Sequence, residues 1–470
     1  MTKKGSTLVV IGHGAAGLTA AIAAAEAARD LRFPIKIILL EKASEPDSGG
    51  NTRWSPAYMR MAAVDCVAPD FQQDMQLASG GRADQAYFRT LAEDAPGTIA
   101  WLQQKGVEFS KPVYYLSVGP PRIQPNGGGA AIIERLSAVA RRANVQILYD
   151  CTATHVTPGE PGHYILTTTG TNGDRTIEAD AIVIASGGFQ GSADMMHEHF
   201  GSAAATMKLL SPGTHFDTGD GIRLAQSLGA SLSGDWNGMH AEPIDPRSRQ
   251  SAPVVLVYPY GIAVDRDGQR FFDEGAGLVH ETWEAFARDI HFSRPGSIVY
   301  AILDSRLFEI EGYQRAIRSE VPPYQATTLD ALGAMIDVPA NALKRTIEVF
   351  NAAATADAAR FDATRCDGLS TTGLVPPKSN WARPIVKAPF VAYPLVGAVA
   401  YTFGGIATNE RAAVQGRAGI IPGLYAAGEV TGHFYKTAPN AVAMLRATTF
   451  GKIAGREAVN FLASSTNHHR

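Results

Sequence analysis

The sequence predicts an α/β fold, a parallel sheet with helices on its faces, interrupted by an α+β insert. Three observations predict it. Leu8 to Ile11 is a short aliphatic run that ends in Gly12-His13-Gly14-Ala15-Ala16-Gly17, followed by an alanine-rich run to Arg29 and a second aliphatic run, Ile37 to Leu40, closed by Glu41. Two later aliphatic runs, Ala181 to Ala185 and Leu424 to Ala427, break into glycine in the same way. Between them the texture changes after Ser233, where Trp236, His240, several prolines, Arg247 and Arg249 interrupt the alternation of strand and helix.

Each part of the first stretch has a physical task. A short aliphatic run suits a strand buried on both faces. Gly12 and Gly14 let the backbone turn tightly and approach a pyrophosphate. Ala15 and Ala16 open a helix whose first amides point at the phosphates, and Gly17 lets that helix lie close to the sheet. Glu41, 24 residues beyond Gly17 and followed by Lys42, stands where an acid accepts hydrogen bonds from ribose hydroxyls. A lone glycine fingerprint is weak. Placed at a strand end, before a helix and with an acid closing the next strand, it marks a Rossmann-like dinucleotide site.

With 470 residues the chain has room for two or three domains. Its 42 basic and 45 acidic side chains give a net charge of -3, which leaves no electrostatic footprint for nucleic acid. Cys66, Cys151 and Cys366 are far apart, with neither metal-ligand spacing nor a paired framework, so no metal site is expected and a reducing cytoplasm is. No run approaches the roughly 20 apolar residues of a membrane helix. A cytoplasmic protein is expected.

After Glu41, Ser48-Gly49-Gly50-Asn51-Thr52-Arg53 is expected as a small-residue loop. Its amides suit a second contact to a phosphate or a ring; a surface turn is the competing reading. Residues 86–105 form a helix, Tyr114 to Leu116 an extended segment, Ala130 to Arg142 a helix and Val145 to Tyr149 a strand. Gly162 to Thr169 with Arg175 to Glu178 forms a hairpin. Ala181 to Ala185 is a buried strand ending in Ser186-Gly187-Gly188-Phe189. Ile222 to Leu228 is helical, with Asp220 before it as either a cap or a ligand.

We divide the chain into 1–234, an insert at 235–370 and a return at 371–470. The insert holds a strand, Val254 to Val257, a hairpin from Val264 to Phe272 turning on Asp267-Gly268, and alanine-rich helices around 328–360. Pro376-Pro377-Lys378 is the return linker. Strands follow at Phe390 to Tyr393 and Ala398 to Phe403. A helix from about Asn440 to Leu462 and a polar tail, Ser464 to Arg470, end the chain.

The signatures at Ala185-Ser186-Gly187 and Ala427-Gly428-Glu429 fall at the carboxyl ends of strands, the edge where open α/β sheets bind ligands. No second GxGxxG is present for a nicotinamide domain. One dinucleotide held by the whole chain fits FAD better than NAD.

These residues resemble the fumarate reductase/succinate dehydrogenase flavoprotein family over nearly the full length. The resemblance is carried by the N-terminal fingerprint with Glu41, Gly49 to Thr52, Ala185 to Phe189, Thr218-Gly219-Asp220-Gly221, Gly268-Gln269-Arg270-Phe271 and Tyr425 to Glu429. Tyr260 to Gly268 with Phe272 to Gly275, and Pro376 to Lys378 with Trp381-Ala382-Arg383-Pro384, are most similar to FAD-dependent tricarballylate dehydrogenases. The resemblance implies a Rossmann-like FAD-binding domain of the glutathione-reductase type with an inserted α+β capping domain, the substrate lying between cap and flavin. It places Glu41 at the adenosine ribose, Ala153 at adenine, Asn51 and Thr52 near pyrophosphate and ring, and Glu429 at the ribityl chain. Gly50, Ala185, Ser186, Gly187, Asp220, Gly404, Gly428, Asn440 and Ala441 complete the cofactor set.

The departures bear on the chemistry. Leu278 stands four residues after Glu274, where the reductases are similar in carrying a proton-donating arginine, and Tyr401-Thr402-Phe403-Gly404-Gly405 has a phenol in place of their substrate-binding imidazole. His240 matches a cap-side histidine held against a substrate carboxylate, with a structural role as the competing reading. Lys436 aligns with a lysine of the tricarballylate enzymes or is a solvated charge, and Arg446 is substrate-facing or ion-paired. Arg53-Trp54-Ser55-Pro56-Ala57 lacks the histidine that carries covalent flavin, so non-covalent FAD is expected.

The expected activity is desaturation, or its reverse, of a carbon–carbon bond next to a carboxylate in a tricarballylate-like di- or tricarboxylate. Arg383, Lys436, His240 and Tyr401 would stabilise negative charge, with His433 or Tyr401 as base. The resemblance also implies a membrane electron acceptor as partner. Two alternatives stand beside this one: a 3-ketosteroid dehydrogenase-like enzyme acting on a ketone, and a flavin electron-transfer subunit.

Overall fold

The computed structural model describes residues 5–171, 173–354 and 360–468. The end of the helical region expected around 328–360, at 355–359, and the last two residues of the polar tail lie outside the described residues.

Strand β1 (Ser6–Ile11) is followed by helix α1 (Ala15–Asp30), then β2 (Ile35–Leu40), β3 (Gln146–Leu148), β4 (Ala181–Ile184), β5 (Ala413–Gly416), β6 (Gly419–Ala426) and helix α2 (Val442–His468). The strands make one sheet in the order β5-β6-β4-β1-β2-β3, parallel except for the β5/β6 pair. Leu8, Val9 and Val10 are fully buried, because helices cover one face and a further sheet the other. Register aligns the exits: Ile11 pairs with both Leu40 and Ile184, and Ile184 with Ala426. Gly12, Glu41, Ala185 and Ala427 therefore leave the sheet at one level.

A second sheet centres on the 13-residue strand Phe390–Thr402. It pairs antiparallel with Met239–Ile244 and Val299–Asp304, and parallel with Lys208–Leu209. The two strands expected at Phe390 to Tyr393 and Ala398 to Phe403 are thus one, because Pro394 stays paired with Tyr300 and Gly397 with Pro243. Helix Val279–Ser293 lies against this strand, where a Cβ at Gly397 would stand 2.1 Å from the Ala287 carbonyl oxygen.

Other local expectations are corrected. Gly50–Trp54 is a short helix rather than a loop, entered through Gly49 at φ 107°. Tyr114 to Leu116 bends instead of extending, and Val254 to Val257 makes only isolated bridges through Val254 and Val255. The expected hairpin is two-thirds of a three-stranded antiparallel sheet that starts with Cys151–Pro158, a strand hidden by its mixture of threonine and histidine. No helix of the described residues is long and apolar enough to cross a membrane.

The α1/α2 contact depends on small residues. A Cβ at Gly455 would lie 2.0 Å from the Ala20 carbonyl oxygen, and one at Gly451 2.4 Å from that of Ala16. Gly455→Val must push the helices apart; overpacking of this kind costs about 1–3 kcal/mol. Urea unfolding of the variant should show a lower midpoint at unchanged slope, and an unchanged midpoint would contradict the close packing.

Candidate active site

The aligned strand ends form one wall of a cleft. A Cβ at Gly12 would stand 2.3 Å from the Ala185 carbonyl oxygen, and one at Gly17 1.8 Å from that of Gly12, so both positions require glycine for packing. Helix α1 begins after Gly14 with no side-chain cap, and the Ala15 amide donates to Thr52 Oγ1 at 3.2 Å. The next amides point into the cleft at the positive end of the helix, a seat for an anion.

Glu41 is buried, and each carboxylate oxygen accepts one amide at 2.8 Å, His13 N to Oε2 and Ala43 N to Oε1. Each oxygen keeps a lone pair for a hydroxyl. Burial raises the Glu41 pKa, and the two amides and Lys42 oppose that rise. Lys42 Nζ donates to Asp220 Oδ2 at 2.8 Å and Thr218 Oγ1 at 2.6 Å, while Asp220 also accepts from Arg223. Asp220 is the first residue of its helix, after Gly219, and acts through these cations rather than as the cap.

The cleft is lined by Gly12, Gly14, Ala15, Ala16, Glu41, Lys42, Gly50, Asn51, Thr52, Ala153, Ala185, Ser186, Gly187, Asp220, Gly428 and Glu429. These are 16 of the positions singled out in sequence. His13, Thr152 and Asp217 join them without having been picked. Asp217 is buried, receives Gln190 Nε2 at 2.8 Å, and is pushed well above the carboxylate range by burial and then by Glu429. It lies three residues before Asp220, and no sequence pattern separates it from an ordinary surface acid. Gly17 packs behind the cleft, and Gly404 sits under Trp236.

A cavity of about 210 Å³ continues from the cleft through shared walls at Asn51, Thr52, Glu429 and Ala447. Asn440 and Ala441 line this cavity, not the cleft. Burial lifts Glu429 to about 7. Tyr401 and His240 face the cavity with ring centroids 4.9 Å apart. Both His240 nitrogens are engaged, with Glu284 at 2.9 Å and Glu242 at 3.2 Å. Burial opposes the charge, but the two carboxylates outweigh it and raise the imidazole to about 9. Tyr401 is pushed well above the phenol range by burial and by Glu284, so it stays protonated.

Three expected residues are not brought to this cavity. His433 is buried behind it, stacked on Tyr87 at 3.6 Å with Nε2 2.8 Å from Thr408 Oγ1. Arg383 lies over the Phe361 ring at 4.2 Å and lines a separate surface depression with Arg306 and Arg315. Lys436 is exposed on an outer groove.

Other cations take their place. Arg122 is 3 % exposed, stacked between Tyr58 at 3.7 Å and Tyr114 at 3.8 Å, with Nε and Nη2 unpartnered. Arg318 donates to Tyr58 Oη at 3.2 Å. Arg446 donates to the Thr431 carbonyl at 3.1 Å, its Nε unpartnered and its guanidinium 4.0 Å from the Phe434 centroid. Among the described residues none of the three has a carboxylate within ion-pair distance, so the ion pair considered for Arg446 is not formed.

A sequence profile of the FAD binding domain family matches residues 7–441. The chain belongs to this family, that of the fumarate reductase/succinate dehydrogenase flavoproteins. It is an FAD-dependent oxidoreductase. The NADH:acrylate oxidoreductase of Vibrio harveyi is 30% identical over 405 residues, 78% of this chain but 36% of that relative's length. The fumarate reductase (cytochrome) of Shewanella frigidimarina is 26% identical over 476 residues, covering 97% of this chain and 77% of the relative. In fold, the open conformation of a flavocytochrome c3 fumarate reductase superposes with a TM-score of 0.75 at 23% identity, over 98% of this chain and 79% of that one.

The cleft of this flavoprotein fits FAD on its own chemistry: uncapped helix amides for the pyrophosphate, a hydroxyl acceptor at Glu41 and close backbone approach at Gly12. Glu41→Ala removes the acceptor. A hydrogen bond to a charged group is worth about 1.5–3 kcal/mol, so affinity should fall roughly 10- to 100-fold. Titrating deflavinated protein with FAD, followed by flavin fluorescence, measures this.

The His240 cluster gives a pH dependence. Its imidazolium is stabilised by Glu284 and Glu242, with Tyr401 and Trp283 packed on the ring. The stabilisation is full below the ordinary 6.5 and is lost as pH rises through about 9. Wild-type stability to urea should decline across that window, and His240→Gln should flatten the decline.

Proposed function

We propose that the protein interconverts a saturated carboxylate and its α,β-unsaturated counterpart, with a small di- or tricarboxylate of the tricarballylate kind as substrate. The observation that carries this reading is the convergence of Arg122, Arg318 and Arg446 on one cavity without carboxylate partners. Buried guanidiniums left unpaired are costly and favour an anionic ligand. FAD supplies the hydride acceptor in one direction and the donor in the other.

In this reading the side chains bind and orient the acid. Arg122 is held flat by the tyrosines, which leaves its free N–H groups to take a carboxylate in a fixed plane. Arg318 is fixed beside it through Tyr58, and Arg446 sits on the Glu429 side of the cavity. Tyr401, held in its protonated form, donates toward charge developing on the acid. Trp54, Tyr115 and Trp283 exclude water. We assign the covering role to 235–370. A cytoplasmic setting is supported by the three unpaired cysteines, and the membrane electron acceptor stays a proposal that rests on resemblance alone.

Anaerobic titration of the yellow holoprotein with tricarballylate, succinate and a 3-ketosteroid tests the reading. We expect an acid to bleach the flavin and Arg122→Ala to weaken that acid roughly 10- to 100-fold. Bleaching by the steroid alone would overturn it.

A further inference from the structure

The inner cavity is separated from an outer groove by a thin wall. The groove is lined by Asp74, Glu281, Arg288 and Lys436 among others, and it opens to solvent past Leu77, which is 65% exposed. Five residues line both spaces: His280, Trp283, Ala438, Pro439 and Asn440. Of these, only an imidazole both accepts and releases a proton near neutral pH.

His280 is the second residue of helix Val279–Ser293, whose entry is held independently by Glu281 Oε2 accepting the Leu278 amide at 2.8 Å. Nδ1 of His280 is buried with no partner, and among the described residues neither ring nitrogen makes a hydrogen bond. A buried polar atom left open in this way is costly unless a ligand or water completes it. The ring meets Tyr114 edge-on at 5.5 Å, the same tyrosine that stacks on Arg122.

We propose that His280 relays protons between the carboxylate-binding cavity and solvent in the outer groove. This rests on the carboxylate reading above. In the direction of reduction, FAD when bound and reduced would supply a hydride to the β carbon of the carbon–carbon π bond, and the α carbon then needs a proton. That proton comes from an N–H of the His280 ring, which lines both spaces. As this N–H bond breaks, the other nitrogen takes a proton from groove water, which leaves hydroxide to the solvent, so the ring ends neutral in its opposite tautomer, and rotation restores the first. Desaturation runs the same path backwards. Burial, reinforced by Arg122 and Arg60 against the opposing Glu281, lowers the imidazole to about 4. The resting ring is therefore neutral, with one nitrogen carrying a proton and the other a lone pair, as a relay requires.

The test mixes dithionite-reduced holoenzyme anaerobically with fumarate or cis-aconitate and follows the return of the flavin band. General acid–base groups contribute about 10²- to 10⁴-fold, so His280→Gln should slow reoxidation at least about 100-fold. Its affinity for the saturated acid, read from the spectral shift of the oxidised flavin, should move less than about threefold. Added imidazole should restore part of the rate in His280→Ala. Flavin content and circular dichroism check that both variants are folded. Reoxidation of His280→Gln at the wild-type rate overturns the relay, as does a parallel loss of rate and affinity without imidazole rescue. Failure of both acids with wild-type enzyme overturns the carboxylate reading itself, and that result is visible before any variant is made.

Discussion

The contact on which the site depends is the approach of Gly12 to the strand beside it. With Ala185 so close, no side chain fits at position 12, and β1 and β4 end together. The same level is kept by β2 and β6, so Glu41 and Glu429 reach the cleft from opposite sides of β1. Position in this sheet is therefore what makes scattered glycines and acids into one cofactor site. A shift of one residue in any of these registers would turn alternate side chains to the other face and dissolve it.

Local pattern made this half of the molecule legible. Aliphatic runs ending in glycine appear as strings in the sequence, and each string keeps its meaning wherever the chain carries it. The second half depends on long-range encounters. Tyr58, Arg122 and Arg318 meet at one cavity although nearly 200 residues separate the two arginines. No spacing rule announces such a meeting, and the loops around Arg122 lack the periodicity that would have placed it. His433 shows the converse. It stands in a stretch that lines the site, yet its own ring turns back to stack on Tyr87, and side-chain direction in a loop is not written in residue type.

Substitutions at charged positions follow the same logic. Lys436 and Arg383 were candidates because they are cations within recognisable strings, but the fold leaves Lys436 exposed on an outer groove and lays Arg383, half-buried, over Phe361 beside a separate depression. In the proposed reading the role passes to arginines inside the cavity, of which Arg122 and Arg446 lie over aromatic faces. That exchange suits a buried site, since a guanidinium is less strongly hydrated than an ammonium and stacks on tyrosine.

The sum of charge around the cavity narrows what fills it. Arg122, Arg318 and Arg446 with the His240 imidazolium face two carboxylates, Glu242 and Glu284, which leaves about two positive charges without partners. Glu429, whose carboxyl burial pushes up to about 7, offsets at most part of one. A dianion balances this arrangement. A trianion would leave a carboxylate to find its partner among neutral donors such as Tyr401, and an uncharged ketone would leave the surplus positive charge unmatched. Because unpaired buried charge is dearer than a missing apolar contact, the balance argues for a substrate with two carboxylates ahead of one with three, within the same class of acids.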